Sequence, residues 1–385
     1  MLDGLFNPRR PPALTRVLFA AVTLAIVYLS VWPMSDWRLR QPSTFAFLTL
    51  GIPRYWSVAD LSANIAAYVV FGLLMVLAWC SPARPFRAIA AATVAGFALS
   101  ILLESMQSWL PTRVPSMLDV SANGGGAAIG GALGAMIGAT RARLAGERRQ
   151  VSLQWYQQGP ALGWALLLVW VIGQIPTQRL LFTSGHVVRW VGAFVQRAFG
   201  ADGGSPPGAV PDWLESLQAV HGLAETVAIM STIGVLGVLV MDLVRPVGAR
   251  LAWVGGLLLF GLALRVMLAP LVYRDQPPLV WLTAGAQAGI VLGAAMLYLI
   301  GAFRVRTRLA IGVLLVPLSI LLVFVASFDP YFVSTMAQAR SPLEPALTPS
   351  LRSLINLLGG LWPLLCMLYF VARLTTIRER ERPKH

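Results

Sequence analysis

At 385 residues, 57% hydrophobic and only 12% charged, with a mean hydropathy of +0.70, the chain cannot be an ordinary soluble domain, which carries roughly 25% charged residues to cover its wetted surface. Its formal charge of +14 would suggest nucleic acid in a soluble protein. Here the basic residues sit at the ends of apolar runs, where anionic lipid headgroups are the natural counter-charge, and no nucleic acid is invoked.

Apolar runs of about 20 residues, the length that crosses a bilayer, predict an all-α polytopic transmembrane helical bundle of about ten spans. They lie near residues 14–33, 58–80, 86–110, 118–139, 160–176, 222–243, 251–272, 279–303, 309–328 and 352–374, the fifth being the shortest. With the N-terminus inside, alternate connections carry Arg84 and Arg87, then Arg141 and Arg143, then Arg245 and Arg250, then Arg304, Arg306 and Arg308. The tail adds Arg373, Arg378, Arg380, Arg382 and Lys384. The positive-inside rule therefore places both termini in the cytoplasm. Cys80 and Cys366 lie inside apolar runs and the three histidines are scattered, so neither a disulfide framework nor a zinc site is expected.

In chain order, Pro8, Arg9, Arg10, Pro11 and Pro12 precede a run that continues to Pro33 without a small-residue cleavage site. That pattern predicts an uncleaved anchor rather than a signal peptide. An outer loop follows over 34–57, and its apolar middle from Phe45 to Ile52 suits the membrane interface. The second span opens Asp60-Leu-Ser-Ala-Asn64, and the fourth opens Asp119-Val-Ser-Ala-Asn123. Helix capping is the plain role for either aspartate. Asn64 and Asn123, one turn deeper on the same face, are not explained by capping, and amides there commonly join helices.

Between these two openings, Glu104 and Gln107 lie one turn apart near the end of the third span. A turn with Pro111, Arg113 and Pro115 leads into the fourth. Gly126, Gly130, Gly134 and Gly138 then recur every four residues, a helix-packing stripe for close approach. The predicted topology puts Asp60, Asn64, Glu104, Gln107, Asp119 and Asn123 in the outer third of the bilayer beside Arg113. Such groups are costly there unless they satisfy one another, as a structural clamp, or bind something. These seven residues are the ligand-binding candidates. Oxygen ligands of this kind suit Mg²⁺ or Ca²⁺ better than zinc, and equally suit a protonated amine, a sugar or a peptide headgroup. Arg113 matches a phosphate. No cofactor or metal is assigned.

The pattern of Glu104, Gln107, Pro111, Arg113, Asp119, Asn123, Gly126 and Gly130 resembles the VanZ-like family of bacterial membrane proteins, and the resemblance extends back to about residue 30. In that family an early Asp is followed by His or Asn, an aromatic residue and Gly; Asp60, Asn64, Tyr68 and Gly72 fit the Asn form. The resemblance implies a multi-pass protein of the bacterial inner membrane with a role in the cell envelope, members being linked to lowered susceptibility to glycopeptides such as teicoplanin. Independently of the resemblance, the shared outer depth of the polar cluster and Arg113 points to membrane lipids and a lipid-linked cell-wall or polysaccharide precursor as partners, bound at the outer leaflet. No Ser–His–Asp arrangement, HExxH motif or phosphate-binding glycine loop is visible, so a non-enzymatic binding module is the first reading. The alternatives are a membrane enzyme acting on a lipid-linked sugar or phosphate, and a transporter.

The VanZ-like four-span module is expected over 1–140 and a basic cytoplasmic linker over 141–159. A C-terminal membrane region of about six spans follows over 160–385, with an outer loop at 177–221. Within that loop Val187 to Arg197 reads as an amphipathic helix and Gly203 to Pro211 as a connector. Glu225 and Arg265 are expected at similar depth, and Asp329 to Glu344 forms another outer loop.

Overall fold

The structure, a computed structural model, describes residues 12–39, 42–49, 57–79, 84–147, 161–175, 180–183, 221–244, 247–272, 279, 281–326 and 349–381. Ten α-helices occupy them: α1 (Pro12–Val31), α2 (Val58–Trp79), α3 (Pro85–Gln107), α4 (Met117–Glu147), α5 (Ala161–Ile172), α6 (His221–Leu243), α7 (Val247–Val272), α8 (Ala284–Ala302), α9 (Val305–Ala326) and α10 (Pro349–Glu381). Each of the ten expected spans coincides with one helix. The chain is a polytopic helical membrane protein, in which seven helices (α2, α3 and α6 to α10) are long and apolar enough to cross a bilayer. A bilayer admits such helices because each satisfies its own backbone polar groups. The apolar part of α1 and the whole of α5 are shorter. In α4, Asp119, Asn123 and many glycines dilute the apolar character, and the helix runs on past Arg141 and Arg143 to Glu147. The amphipathic stretch expected at 187–197, the connector at 203–211, the linker from 148 to 159 and the loop at 329–344 lie outside the described residues.

The chain divides into two compact units, 1–153 and 154–385. The first contains α1 to α4, with α4 packed between α2 and α3, and α1 lying against α2. Its core joins Ile26 of α1, Tyr68 and Phe71 of α2, Leu103 of α3 and Ala127 of α4, with Leu110 of the α3–α4 turn. Glycine makes the α2–α4 seam possible. A Cβ at Gly126 would stand 2.6 Å from the Ile65 carbonyl oxygen, and one at Gly134 2.9 Å from that of Leu73. At Gly130 it would overlap the Val69 carbonyl oxygen outright, while Gly138 is half-buried. On the opposite side, Gly96 of α3 leaves room for the Ala127 methyl group.

In the second unit, α6 is the central helix, and Ile229, Ile233, Leu236 and Leu239 are buried along it. The helices α8 and α9 cover it, and α10 packs on α9 and α5. Gly289 and Gly293 admit the side chains of Ile229 and Ile233. The Trp362 indole donates to the Leu166 carbonyl at 2.9 Å, joining α10 to α5. Glu225 accepts a hydrogen bond from Thr283 at 2.8 Å. Arg265 donates to the Leu180 carbonyl at 2.8 Å and lies over the Trp281 ring.

Candidate functional site

The candidate residues meet at one end of the first unit, where α2 and α4 begin and α3 finishes. Both entering helices start the same way. Ser57 stands just before α2: its hydroxyl accepts from the Asp60 backbone N–H at 3.0 Å and donates to the Asp60 carboxylate at 2.7 Å. Ser116 repeats this before α4, accepting from the Asp119 N–H at 3.1 Å and donating to its carboxylate at 2.8 Å. A helix start leaves backbone N–H groups without partners, and a serine cap of this kind contributes about 1 kcal/mol. Each aspartate also lies at the positive end of its helix dipole. The sequence echo is therefore eight residues long, Ser-x-x-Asp-x-Ser-Ala-Asn, and encodes one capping device twice.

The two asparagines diverge in what they join. Asn64 donates to the second carboxylate oxygen of Asp119 at 2.8 Å, tying α2 to α4. Asn123 is buried and donates to the Ser100 hydroxyl at 2.9 Å, tying α4 to α3. Its amide oxygen is buried with no hydrogen-bond partner among the described residues. Buried polar groups are nearly always paired; the Tyr68 hydroxyl of α2 is the other buried, unpaired polar atom of this unit among the described residues.

Glu104 is 5% exposed, and its carboxylate accepts from the Ser116 backbone N–H at 2.8 Å. The end of α3 thereby holds the beginning of α4, with a carboxylate at the positive pole of that helix. Gln107 and Arg113 face α1. The Gln107 amide donates to the Ser30 carbonyl at 2.9 Å. One Arg113 nitrogen donates to the carbonyls of Leu29 at 2.8 Å and Trp32 at 3.3 Å. These carbonyls close α1, where acceptors lack intrahelical partners and a cation is favoured. The loop after α1 is fastened to the same turn by Arg38 N–H to Trp109 O at 2.7 Å and Ser108 hydroxyl to Thr44 O at 2.9 Å.

Arg113 lies within electrostatic reach of Asp60 and Glu104, yet its hydrogen bonds go to backbone carbonyls rather than to either carboxylate. Burial lowers the pKa of its guanidinium, and the two carboxylates oppose that shift. Asp60 is exposed, whereas Asn64, Arg113 and Asp119 are half-buried. All seven residues thus belong to one neighbourhood, graded from exposed Asp60 to buried Glu104 and Asn123. Among the described residues, no three His, Cys, Asp or Glu side chains group closely enough to hold a metal ion.

Sequence reasoning missed Ser57, Ser100 and Ser116, together with the part played by α1. The serines were findable in part, because a Ser three residues before an Asp at a helix start is a capping signature. Ser100 and the α1 carbonyls carry no local signal, since only packing brings them to Asn123, Gln107 and Arg113.

No curated protein and no solved structure matches the chain. The VanZ/LLP1 family model matches residues 17–138, and no family model matches the C-terminal half. That match runs from the first turns of α1 through most of α4 and contains every residue of the cluster, so the N-terminal membrane unit is the part of the chain that is similar to the VanZ/LLP1 family.

Proposed function

We propose that the VanZ-like unit binds the polar headgroup of an envelope lipid, or of a lipid-linked cell-wall or polysaccharide precursor, at the outer leaflet of a bacterial inner membrane. One observation carries this reading: three carboxylates and one guanidinium share the end of the unit without an ion pair between Arg113 and any of them. Charged groups at a membrane boundary are expensive when left uncompensated, and a zwitterionic or hydroxyl-rich headgroup offers both kinds of partner. A phosphate would meet the face of Arg113 not spent on α1. Amine or hydroxyl groups would meet Asp60, the most accessible carboxylate. A hydroxyl or water reaching inward would satisfy the Asn123 amide oxygen. The family resemblance makes lowered teicoplanin susceptibility the cellular effect to look for.

The test is native mass spectrometry of the full-length protein in mild detergent, with wild type beside Asp60→Asn, Glu104→Gln and Arg113→Lys. A discrete lipid or precursor on the wild type, lost or reduced in variants that keep their helical content, supports the reading. If the wild type carries none, or all three variants carry the same adduct, the cluster is a structural clamp.

A further inference from the structure

The second unit has a separate concentration of charge where α6 ends and α7 and α9 begin. Asp242, in the last turn of α6, is 5% exposed and accepts three hydrogen bonds. The Tyr369 hydroxyl donates at 2.6 Å, and Arg373 donates in a two-pronged contact at 2.8 and 3.0 Å. That carboxylate is therefore fully engaged. Two further arginines stand near the same end of α6. Arg250 of α7 spends its Nε on the Val244 carbonyl at 2.7 Å, capping the end of α6. Arg308, in the first turn of α9, is 8% exposed, and its nitrogens are not among the fully enclosed polar atoms left without a partner. Arg308 is within electrostatic reach of both Arg250 and Asp242. Arg308 thus shares Asp242 with Arg373 and has Arg250 as a cationic neighbour.

Two guanidinium groups held near one another repel, and an anion between them relieves that repulsion. The helix starts beside them compound the excess, because N-terminal N–H groups and the positive dipole end attract anions. Everything local favours an anion with several acceptor oxygens, and no carboxylate other than Asp242 supplies them among the described contacts. We propose that Arg250 and Arg308 form a binding site for a phosphate group, with Asp242, Tyr369 and Arg373 as its rigid floor. The two sources of that chemistry are the headgroup of an anionic phospholipid and free phosphate. The positive-inside pattern sets this end on the cytoplasmic side, where anionic headgroups lie. The site is independent of the VanZ-like cluster and does not rest on its function.

The experiment uses the full-length protein in phosphatidylcholine nanodiscs. Retention of phosphatidylglycerol is measured by native mass spectrometry, and the unfolding midpoint is followed in inorganic phosphate against chloride at matched ionic strength. The wild type should retain phosphatidylglycerol, and Arg250→Gln/Arg308→Gln should bind it about 30-fold more weakly, from roughly fivefold per basic residue near the surface. Arg304→Gln, an exposed arginine one turn earlier, should bind like the wild type. Stabilisation by inorganic phosphate, with phosphatidylglycerol retained equally by wild type and double variant, would identify free phosphate as the occupant. If the folded double variant responds to both probes as the wild type does, the proposal is wrong. Should the double variant fail to fold, half-buried Arg250→Gln decides alone, and undiminished response to both probes overturns the site.

Discussion

The closest helix approach in the VanZ-like unit provides the most demanding test of how the cluster is assembled. Gly125 and Gly130 belong to the same helix but differ in what a methyl group would meet. Around Gly125 nothing lies within 4 Å. At Gly130 the added carbon would overlap the Val69 carbonyl oxygen and approach the Leu73 nitrogen to 2.8 Å, both of them backbone atoms of α2. Replacing a helical glycine by alanine gains about 1 kcal/mol of helix propensity, which Gly125→Ala should realise in full. In Gly130→Ala that gain is opposed by overpacking, typically about 1–3 kcal/mol. The upper end applies because no side chain can rotate away and α2 must shift. The net expectation is a loss of roughly 2 kcal/mol, or about 4–8 °C in unfolding midpoint for a unit of this size, against a gain of roughly 2–4 °C for Gly125→Ala. Thermal unfolding of the two variants in one detergent, followed by circular dichroism, measures both. If Gly130→Ala is as stable as Gly125→Ala, the α2–α4 seam is not formed by backbone contact. The reasoning that brings Asn64 to Asp119 would then fail with it.

Four other outcomes follow from named contacts. A double-mutant cycle on Asn64→Ala and Asp119→Ala should show coupling of about 1.5–3 kcal/mol, the range for a hydrogen bond to a charged group; additive losses would deny the contact. Glu104→Ala leaves the Ser116 N–H buried without an acceptor and should destabilise the unit by about 1–3 kcal/mol, whereas Glu104→Gln keeps an acceptor oxygen and should cost less; chemical denaturation of the pair ranks them. Arg113→Ala should loosen α1, seen as faster amide hydrogen exchange at Tyr28 to Trp32, while exchange along α4 stays unchanged. In the second unit, Asp242→Ala strands Arg373 and should cost about 3–5 kcal/mol, much of it restored in Asp242→Leu/Arg373→Met, as for other buried pairs exchanged for apolar groups. Equal instability of the single and double variants in thermal unfolding would argue against that pairing.

What the chain's order of residues determined by itself is the set of helices and where they stop. Runs of apolar residues long enough for a bilayer, punctuated by arginines and prolines, allow few other structures, because lipid offers no hydrogen bonds to a backbone outside a helix. The repeated Asp-x-Ser-Ala-Asn was equally legible, since capping is local chemistry within a single turn. Even there, similar sequence did not settle equivalent roles. Asn64 meets a carboxylate on a neighbouring helix and Asn123 meets a hydroxyl, because α2 and α4 have different neighbours.

Tertiary structure alone decided which polar groups are spent and which remain open. Arg113 reads in sequence as a free cation for a ligand, but one of its nitrogens is committed to the end of α1, a helix more than eighty residues earlier. Glu104 reads as a ligand and serves first to hold the start of α4. Arg308 is the reverse case: one arginine in a basic connection like several others, it comes beside Asp242 only when α9 is packed against α6. Such pairings are set by long-range packing, and no periodicity or local motif records them, because the atoms involved are distant in the chain and meet only after the helices have assembled.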